Sequence, residues 1–305
     1  MEPFETLLEE LARDRRSERR WRTLKRVAMA GAVAGYLLFQ ANLLGWIPAV
    51  KSPTAGPHVA VVELEGPVSA SSPFSADLVV PLLKRTCEDA RTAGVVLRIN
   101  SPGGSPDEAD RIGRAVDACR AGGKKVVSFI DGLGASAAYL VAVHAQEVHA
   151  GRFSLVGSIG AIIQSLDAED ALSRLGVRSR VYASGSQKSA GSLWRHDTAE
   201  QARTLQSLAD AAGQQFAAEV EKRRGNRLRA TPDRNSGRVW TAADAKALGL
   251  VDGVMVYEDL LASAFPGIPA ERVVPRRPLS EAFSMSALVQ AVKTELTGWS
   301  AEYVP

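Results

Sequence analysis

From His58 onward the apolar positions fall into two alternating rhythms. HVAVVELE (His58–Glu65) alternates with a period of two and is rich in Val, which predicts a strand. Gly94–Asn100 (GVVLRIN) and Lys125–Asp131 (KVVSFID) are short apolar runs of the kind carried by strands covered on both faces. Between them, Ser75–Ala93, through Leu78, Leu82 and Leu83, and Pro106–Ala121 have helical spacing. The rhythm continues with a short helix over Ser136–Ala145, strands over Glu147–Ala150, Ala161–Leu166 and Val177–Ala183, and a helix over Ala168–Leu175. Strands alternating with helices predict an α/β domain with a largely parallel sheet. Beyond it, Thr198–Arg224 predicts one long helix, with Thr198 and Gln201 at capping-box spacing. Gly225–Gly237 is basic and turn-rich, Thr241–Leu248 predicts a short helix stopped by Gly249, and Leu250–Val256 a strand. Ser280–Trp299 has the pattern of an amphipathic tail helix, through Phe283, Leu288, Val289, Val292 and Leu296.

The N-terminal part has a different pattern. Val27–Val50 contains no charged residue, and a bilayer-crossing helix needs about 20 residues. A cleaved signal peptide has a shorter apolar core, roughly 7–15 residues, followed by a small-residue cleavage site, and no clean site of that type is present. The stretch is therefore expected to be a transmembrane anchor, with Trp46 and Pro48 at the far interface. Eight Lys and Arg residues lie between Arg13 and Arg26, against Lys51 alone before Lys84 on the other side. The basic flank is expected to stay in the cytoplasm and the rest of the chain to lie outside. The expected layout is a basic N-terminus over 1–26, an anchor over 27–50, a linker over 51–57, the α/β domain over 58–265 and a tail over 266–305.

Composition adds limits. With 46% hydrophobic and 23% charged residues the chain has ordinary globular material, and a net charge of +3 gives no global support to a nucleic-acid role. Cys87 and Cys119 show no CxxC or metal-type spacing and fall in predicted helices. They are expected to be small buried hydrophobes, while pairing is not decided by sequence.

Three stretches carry candidate chemistry. Asn100–Ser105 (NSPGGS) ends a buried strand, where ligands of parallel sheets gather, and paired glycines let amide N–H groups converge on an anion. In Asp131–Leu140 (DGLGASAAYL) a strand ends, the chain turns and Ser136 opens a helix. A serine there is most often an N-cap; the alternative is a nucleophile in the field of the helix N-terminus, with small neighbours that let a substrate chain approach. Ala183–Gly191 (ASGSQKSAG) holds Lys188 among small residues; such a lysine is ordinarily solvated, and acts as a base only where the fold desolvates it. His58, His144, His149 and His196 form no Ser/His/Asp pattern, and no metal-type spacing appears.

Taken in order, these stretches resemble the signal peptide peptidase A family over about Val59–Val256. The matching pieces are Ser101–Gly104 (SPGG), Ala135–Tyr139 (ASAAY for ASGGY), Gly157–Gly160 (GSIG), Gln187–Gly191 (QKSAG for YKSAG), and the run through Gly237–Thr241 and Leu248–Asp252. The resemblance implies a ClpP/crotonase-like α/β fold and a Ser/Lys dyad. Ser136 is the implied nucleophile, Lys188 the general base, Ser158 the residue orienting that base, and the backbone N–H groups of Gly104 and Ala137 the oxyanion hole. It implies no cofactor and no metal. Its implied partners are extended hydrophobic peptides or unfolded proteins, the membrane, and further copies in a ring where Ser136 and Lys188 meet across a subunit boundary. The expected location is the bacterial cytoplasmic membrane, single-pass, with the catalytic domain outside. Ala137, Ala138 and Gln187 depart from the family pattern. Two rivals remain: a non-catalytic membrane scaffold, and a hydratase or isomerase of the same fold using Asp107 or Glu108.

Overall fold

The computed structural model describes residues 56–275, together with positions 25, 29, 31–33, 35 and 36. The chain divides into two units, Met1–Pro53 and Thr54–Pro305. In the first, the described positions are helical and exposed. Most of the expected anchor, the basic stretch before Lys25 and the tail helix over 280–299 lie outside the described residues. Among those described, no helix is long and apolar enough to cross a membrane.

The second unit is a mixed α/β fold around one eight-stranded sheet. Its elements are β1 (His58–Glu65), α1 (Ala76–Glu88), β2 (Thr92–Ser101), α2 (Pro106–Ala121), β3 (Lys125–Ala135), α3 (Ala137–Ala142), β4 (Glu147–Ala150) and β5 (Leu155–Gly157). They continue as α4 (Glu169–Arg174), α5 (Ala199–Arg224), β6 (Val239–Thr241), α6 (Ala242–Ala247), β7 (Gly253–Val254), α7 (Tyr257–Ala264) and β8 (Ala270–Val273). The main path runs β6-β5-β3-β2-β1-β8, and every pairing is parallel except β5 with β6. β3 serves two neighbours: Val127–Ile130 pair with β4, and Leu133–Ala135 pair with β5. Its length is what carries the chain from the sheet centre out to the site.

Strand periodicity divides the core. In β1 and β2, Val62, Leu64, Val95, Leu97 and Ile99 face a large cluster with α1, α2 and α3. The alternate residues Val59, Val61 and Val96 join Phe129, Leu260 and Phe265 on the other face, under α7. Both faces are covered, which is why these strands read as continuous apolar runs. Ser105 caps α2 by accepting from the Glu108 N–H, with Pro106 in the first turn.

Cys87 and Cys119 are joined in a disulfide between α1 and α2. The sequence left their pairing open; packing α1 on α2 brings their Cα atoms to 5.5 Å, within bridging range, so they are joined as well as buried between the helices.

The run Leu248–Asp252 ties several elements together. Arg224, at the end of α5 and 2% exposed, donates to both Asp252 carboxylate oxygens at 2.8 and 2.9 Å. Asp252 also accepts from the Val148 N–H at 2.8 Å, and the Tyr139 hydroxyl donates to the Leu250 carbonyl at 2.7 Å. Because residues 250–252 serve these bonds, the expected strand shrinks to Gly253–Val254. The sheet also extends past residue 265, since β8 pairs with β1. The strands expected over Ala161–Leu166 and Val177–Ala183 are not formed. Both segments are exposed and pair with no strand among the described residues, so their backbone has no ladder to join there.

Candidate active site

Ser136 stands between the end of β3 and the start of α3 with φ 53° and ψ −127°. Ser158 directly follows β5 with φ 53°. Among the described residues these are the only non-glycine positions with positive φ. Such backbone costs about 1–3 kcal/mol and persists only where the surroundings impose it. Here the surroundings are adjacent strand ends. Ala135 pairs with Gly157, so the two serines follow neighbouring registers of parallel strands, side by side at the carboxyl edge. The Ser136 N–H donates to the Gly157 carbonyl at 2.8 Å, and the Ser158 N–H donates to the Arg238 carbonyl at 2.8 Å.

Ser136 does not act as a side-chain cap of α3. Its hydroxyl makes no hydrogen bond to any described residue, and the residue is only half-buried. The ordinary N-cap role is thereby set aside. Ala137 and Ala138 lie in α3, buried at 4% and 0% exposure, and neither needs positive φ. The alanines that replace the two glycines of the motif therefore fit the helix without strain.

The Ser101–Gly104 loop is pressed against this turn. A Cβ on Gly103 would lie 2.6 Å from the Ser136 Cβ and 2.7 Å from the Ala135 carbonyl oxygen. Gly104 has φ 147°, and a Cβ there would lie 2.2 Å from the Val68 carbonyl oxygen. Both positions admit only glycine. The Val68 N–H donates to the Gly103 carbonyl and the Ser105 N–H donates to the Val68 carbonyl, each at 2.8 Å. In this parallel bridge the N–H of Gly104 itself points away from Val68. The N–H of Ala137 belongs to the first turn of α3, where the helix offers no acceptor. The Ala137 N–H thus directly follows Ser136, and the loop that carries the Gly104 N–H packs on the same turn through Gly103. Val68 as the clamp of this loop was not singled out from sequence; only its packing reveals it.

Lys188 has a different setting. It sits in a 3-10 turn, Ser186–Ser189, on an exposed arm running from residue 161 to 197. Its side chain is exposed and makes no hydrogen bond to Ser136 or Ser158. Within one chain the Ser136 turn, Ser158 and the Gly103–Gly104 loop pack together, while no hydrogen bond joins Lys188 to either serine. The arm also exposes large apolar side chains, among them Ile162 (86%), Leu166 (71%), Leu175 (76%) and Tyr182 (91%).

The histidines have other duties. His144 is buried between α2 and α5, its ring bonded to Asp117 at 3.0 Å. Burial and the Arg223 charge hold its pKa below the ordinary value, more than Asp117 and Glu219 restore it. His149 pairs with Glu147 at 2.9 Å. His196 bridges Asp167 (2.6 Å) and Asp170 (3.3 Å) on the arm, and these hydrogen bonds raise its pKa. No group of three or more His, Cys, Asp and Glu suited to a metal ion occurs among the described residues.

With this geometry in hand, comparison with known proteins is informative. The family described as peptidase family S49 matches residues 118–266. A Brucella melitensis protein named Na(+)/H(+) antiporter NhaA is 33% identical over 65% of this chain and 28% of its own length. Protease 4 of Salmonella typhi is 33% identical over 58% of this chain and 28% of its own. The serine protease SPPA of Arabidopsis thaliana chloroplasts is 26% identical over 64% of this chain and 29% of its own. The chain is thus similar to peptidase family S49 over just under half of its length. The resemblance read from its motifs is borne out. The chain spans less than a third of the length of each of these relatives. The S49 match includes Ser136, Ser158, Lys188 and the Gly237–Thr241 run, while the SPGG loop precedes it.

Proposed function

We propose that this chain is a membrane-anchored serine endopeptidase in which Ser136 is the nucleophile and Lys188 the general base. The observation that carries the reading is the strained Ser136 turn, whose hydroxyl is unused and whose flanks are the Gly104 and Ala137 N–H groups. Strain of this kind is kept where it aims a reacting group.

In this mechanism the Ser136 Oγ attacks the scissile carbonyl carbon while its proton passes to the neutral Lys188 amine. The carbonyl oxygen becomes an oxyanion held by the two backbone donors; removing one such donor typically costs about 100- to 1,000-fold. The tetrahedral intermediate collapses, the C–N bond breaks, and the Lys188 proton goes to the leaving amine. Water, activated by the same amine, then releases the acyl group from Ser136. Ser158, beside Ser136 at the strand ends, orients the lysine.

Because Lys188 is exposed and makes no hydrogen bond to Ser136 within one chain, the reading has its partner serine supplied by a neighbouring copy in a ring. The apolar side chains of the 161–197 arm are the surface such a neighbour would cover, and the unpaired segments 161–166 and 177–183 would find their ladders there. The fold is assigned to the ClpP/crotonase type, a reading supported by the branching of β3 between β4 and β5. The Cys87–Cys119 disulfide supports an oxidising, extracytoplasmic location for this part. Substrates are extended hydrophobic peptides, remnant signal peptides among them, and no cofactor takes part.

The test is hydrolysis of an unfolded protein and a fluorogenic hydrophobic peptide by the full chain, with Ser136→Ala and Lys188→Ala alongside. Loss of about a thousandfold or more in each variant is expected, as for members of other nucleophile–base pairs. Undiminished cleavage by either variant would refute the dyad.

A further inference from the structure

The sequence marks Gln201 as half of a capping box, and the box is formed. The Gln201 N–H donates to the Thr198 hydroxyl at 3.2 Å, and the Thr198 N–H donates to the Gln201 Oε1 at 3.0 Å. Capping needs only that side-chain oxygen, and a glutamate supplies it equally well. The other half of the amide does something further. Its Nε2 donates to the Ser186 carbonyl at 2.5 Å and to the Ser189 hydroxyl at 3.1 Å. These acceptors lie at the two ends of the turn that carries Lys188. The orientation of the amide follows from its partners, since a backbone N–H and a carbonyl admit opposite ends only.

Burial points the same way. Gln201 is 2% exposed, and the other buried residues of α5 are Ala217, Val220 and Arg224, all in its C-terminal half. An amide buried on an otherwise solvated helix start is stable only if both ends are bonded. A second tie reinforces the first: the Gly191 N–H donates to Asp197 at 2.8 Å, just ahead of the helix. At its far end α5 is locked to the sheet unit through Arg224 and Asp252. The turn, the helix and the sheet unit are thereby one mechanical piece.

We infer that Gln201 is a positioning residue for Lys188, bracketing the 186–189 turn so that the amine is presented in a fixed place to the serine it serves. This rests on Lys188 being the general base. A misplacement of about 1 Å at a reacting group costs on the order of a hundredfold in rate. Gln201→Glu keeps an oxygen for the Thr198 N–H and removes the donor, turning a carboxylate towards the Ser186 carbonyl. Thr198→Ala weakens the cap and leaves the bracket.

The experiment compares kcat and KM of the full chain with those of Gln201→Glu, Thr198→Ala, Ser189→Ala and Lys188→Ala, each normalised to sites labelled by an acylating serine probe and checked for its melting midpoint. The expected result is a kcat lowered about tenfold to a hundredfold in Gln201→Glu with KM little changed. Ser189→Ala, which removes one acceptor of the bracket, is expected to lower kcat several-fold, and Thr198→Ala to keep the parental kcat. Equal losses in Gln201→Glu and Thr198→Ala would reduce Gln201 to a cap and overturn the inference. So would a parental kcat in Gln201→Glu. If Gln201→Glu does not fold, Ser189→Ala decides, and a parental kcat there overturns the inference. Turnover by Lys188→Ala would instead defeat the base assignment itself, whatever Gln201 does.

Discussion

The surroundings of Ser136 and the arm that carries Lys188 are built on opposite plans. Around Ser136 the chain is overdetermined: α3 is wholly buried, Ala135 and Gly157 are paired, and Gly103 is in contact with the serine itself. Around Lys188 almost nothing is buried, and the arm shows water the apolar side chains that a core would hide. The first plan fixes Ser136, the proposed nucleophile, in a strained turn that must not relax. The second leaves an exposed apolar surface, the one the proposed assembly would cover. On the proposed reading, a dyad divided between such regions would have no activity until copies assemble.

The strongest way to break this comparison is to charge the arm. Tyr182→Asp combined with Leu166→Asp is expected to disperse the assembly and remove nearly all hydrolysis, about a hundredfold or more if alignment across copies is lost. The melting midpoint of the dispersed chain should match that of parental monomer, because neither side chain is buried. Sedimentation with parallel assays checks this; full activity in a monomeric variant would end the shared-site account.

The body responds in the reverse way. Arg224→Met leaves Asp252 with the Val148 N–H and the half-exposed Arg227 alone; breaking a buried pair costs about 3–5 kcal/mol, and a loss at or below the low end of that range is expected by denaturant unfolding because Arg227 remains. Reducing the Cys87–Cys119 bridge frees a loop with a sequence separation of 32, expected to cost roughly 3–4 kcal/mol on the chain-entropy account, with the arm unaffected.

The smallest effect sharpens the contrast by its sign. His144 in the body has its pKa held down by burial first and by Arg223 next, so the folded state resists its protonation. Stability of the body should fall as pH drops below the ordinary value of 6.5 and through the lower folded value. His196 on the arm has its pKa raised by hydrogen bonds to Asp167 and Asp170. Its contribution is fully present below 6.5 and is lost as pH rises through the folded value. Hydrogen exchange on either side of pH 6.5 should therefore show the body loosening, and the 167–170 turn tightening, as the solution is acidified. His196→Asn should abolish the second trend alone.

The same contrast explains what was legible in the sequence. The central strands were read correctly because Val62, Leu64, Val95 and Val96 are buried on both sheet faces and leave an unbroken apolar signature. The α5 cap was legible because its chemistry is local. β5, β6 and β8, with three or four residues each, are too short for any period to emerge, and their existence depends on the neighbours they pair with. The disulfide was not legible because it depends on how α1 packs against α2. The strands expected over 161–166 and 177–183 have the right pattern and no partner among the described residues, so their misreading and the exposed arm are one fact. At the site, SPGG, Ser136 and the GSIG turn announced themselves by residue type, while Val68 and the bracketing amide of Gln201 emerge only from packing.

The most direct test of the divided site is complementation. Ser136→Ala and Lys188→Ala, each inactive alone, are dissociated, mixed and reassembled as full chains. Recovery of a fraction of parental turnover is predicted, because mixed assemblies contain interfaces where an intact Ser136 meets an intact Lys188. Mixed assemblies that form and stay inactive would contradict the account.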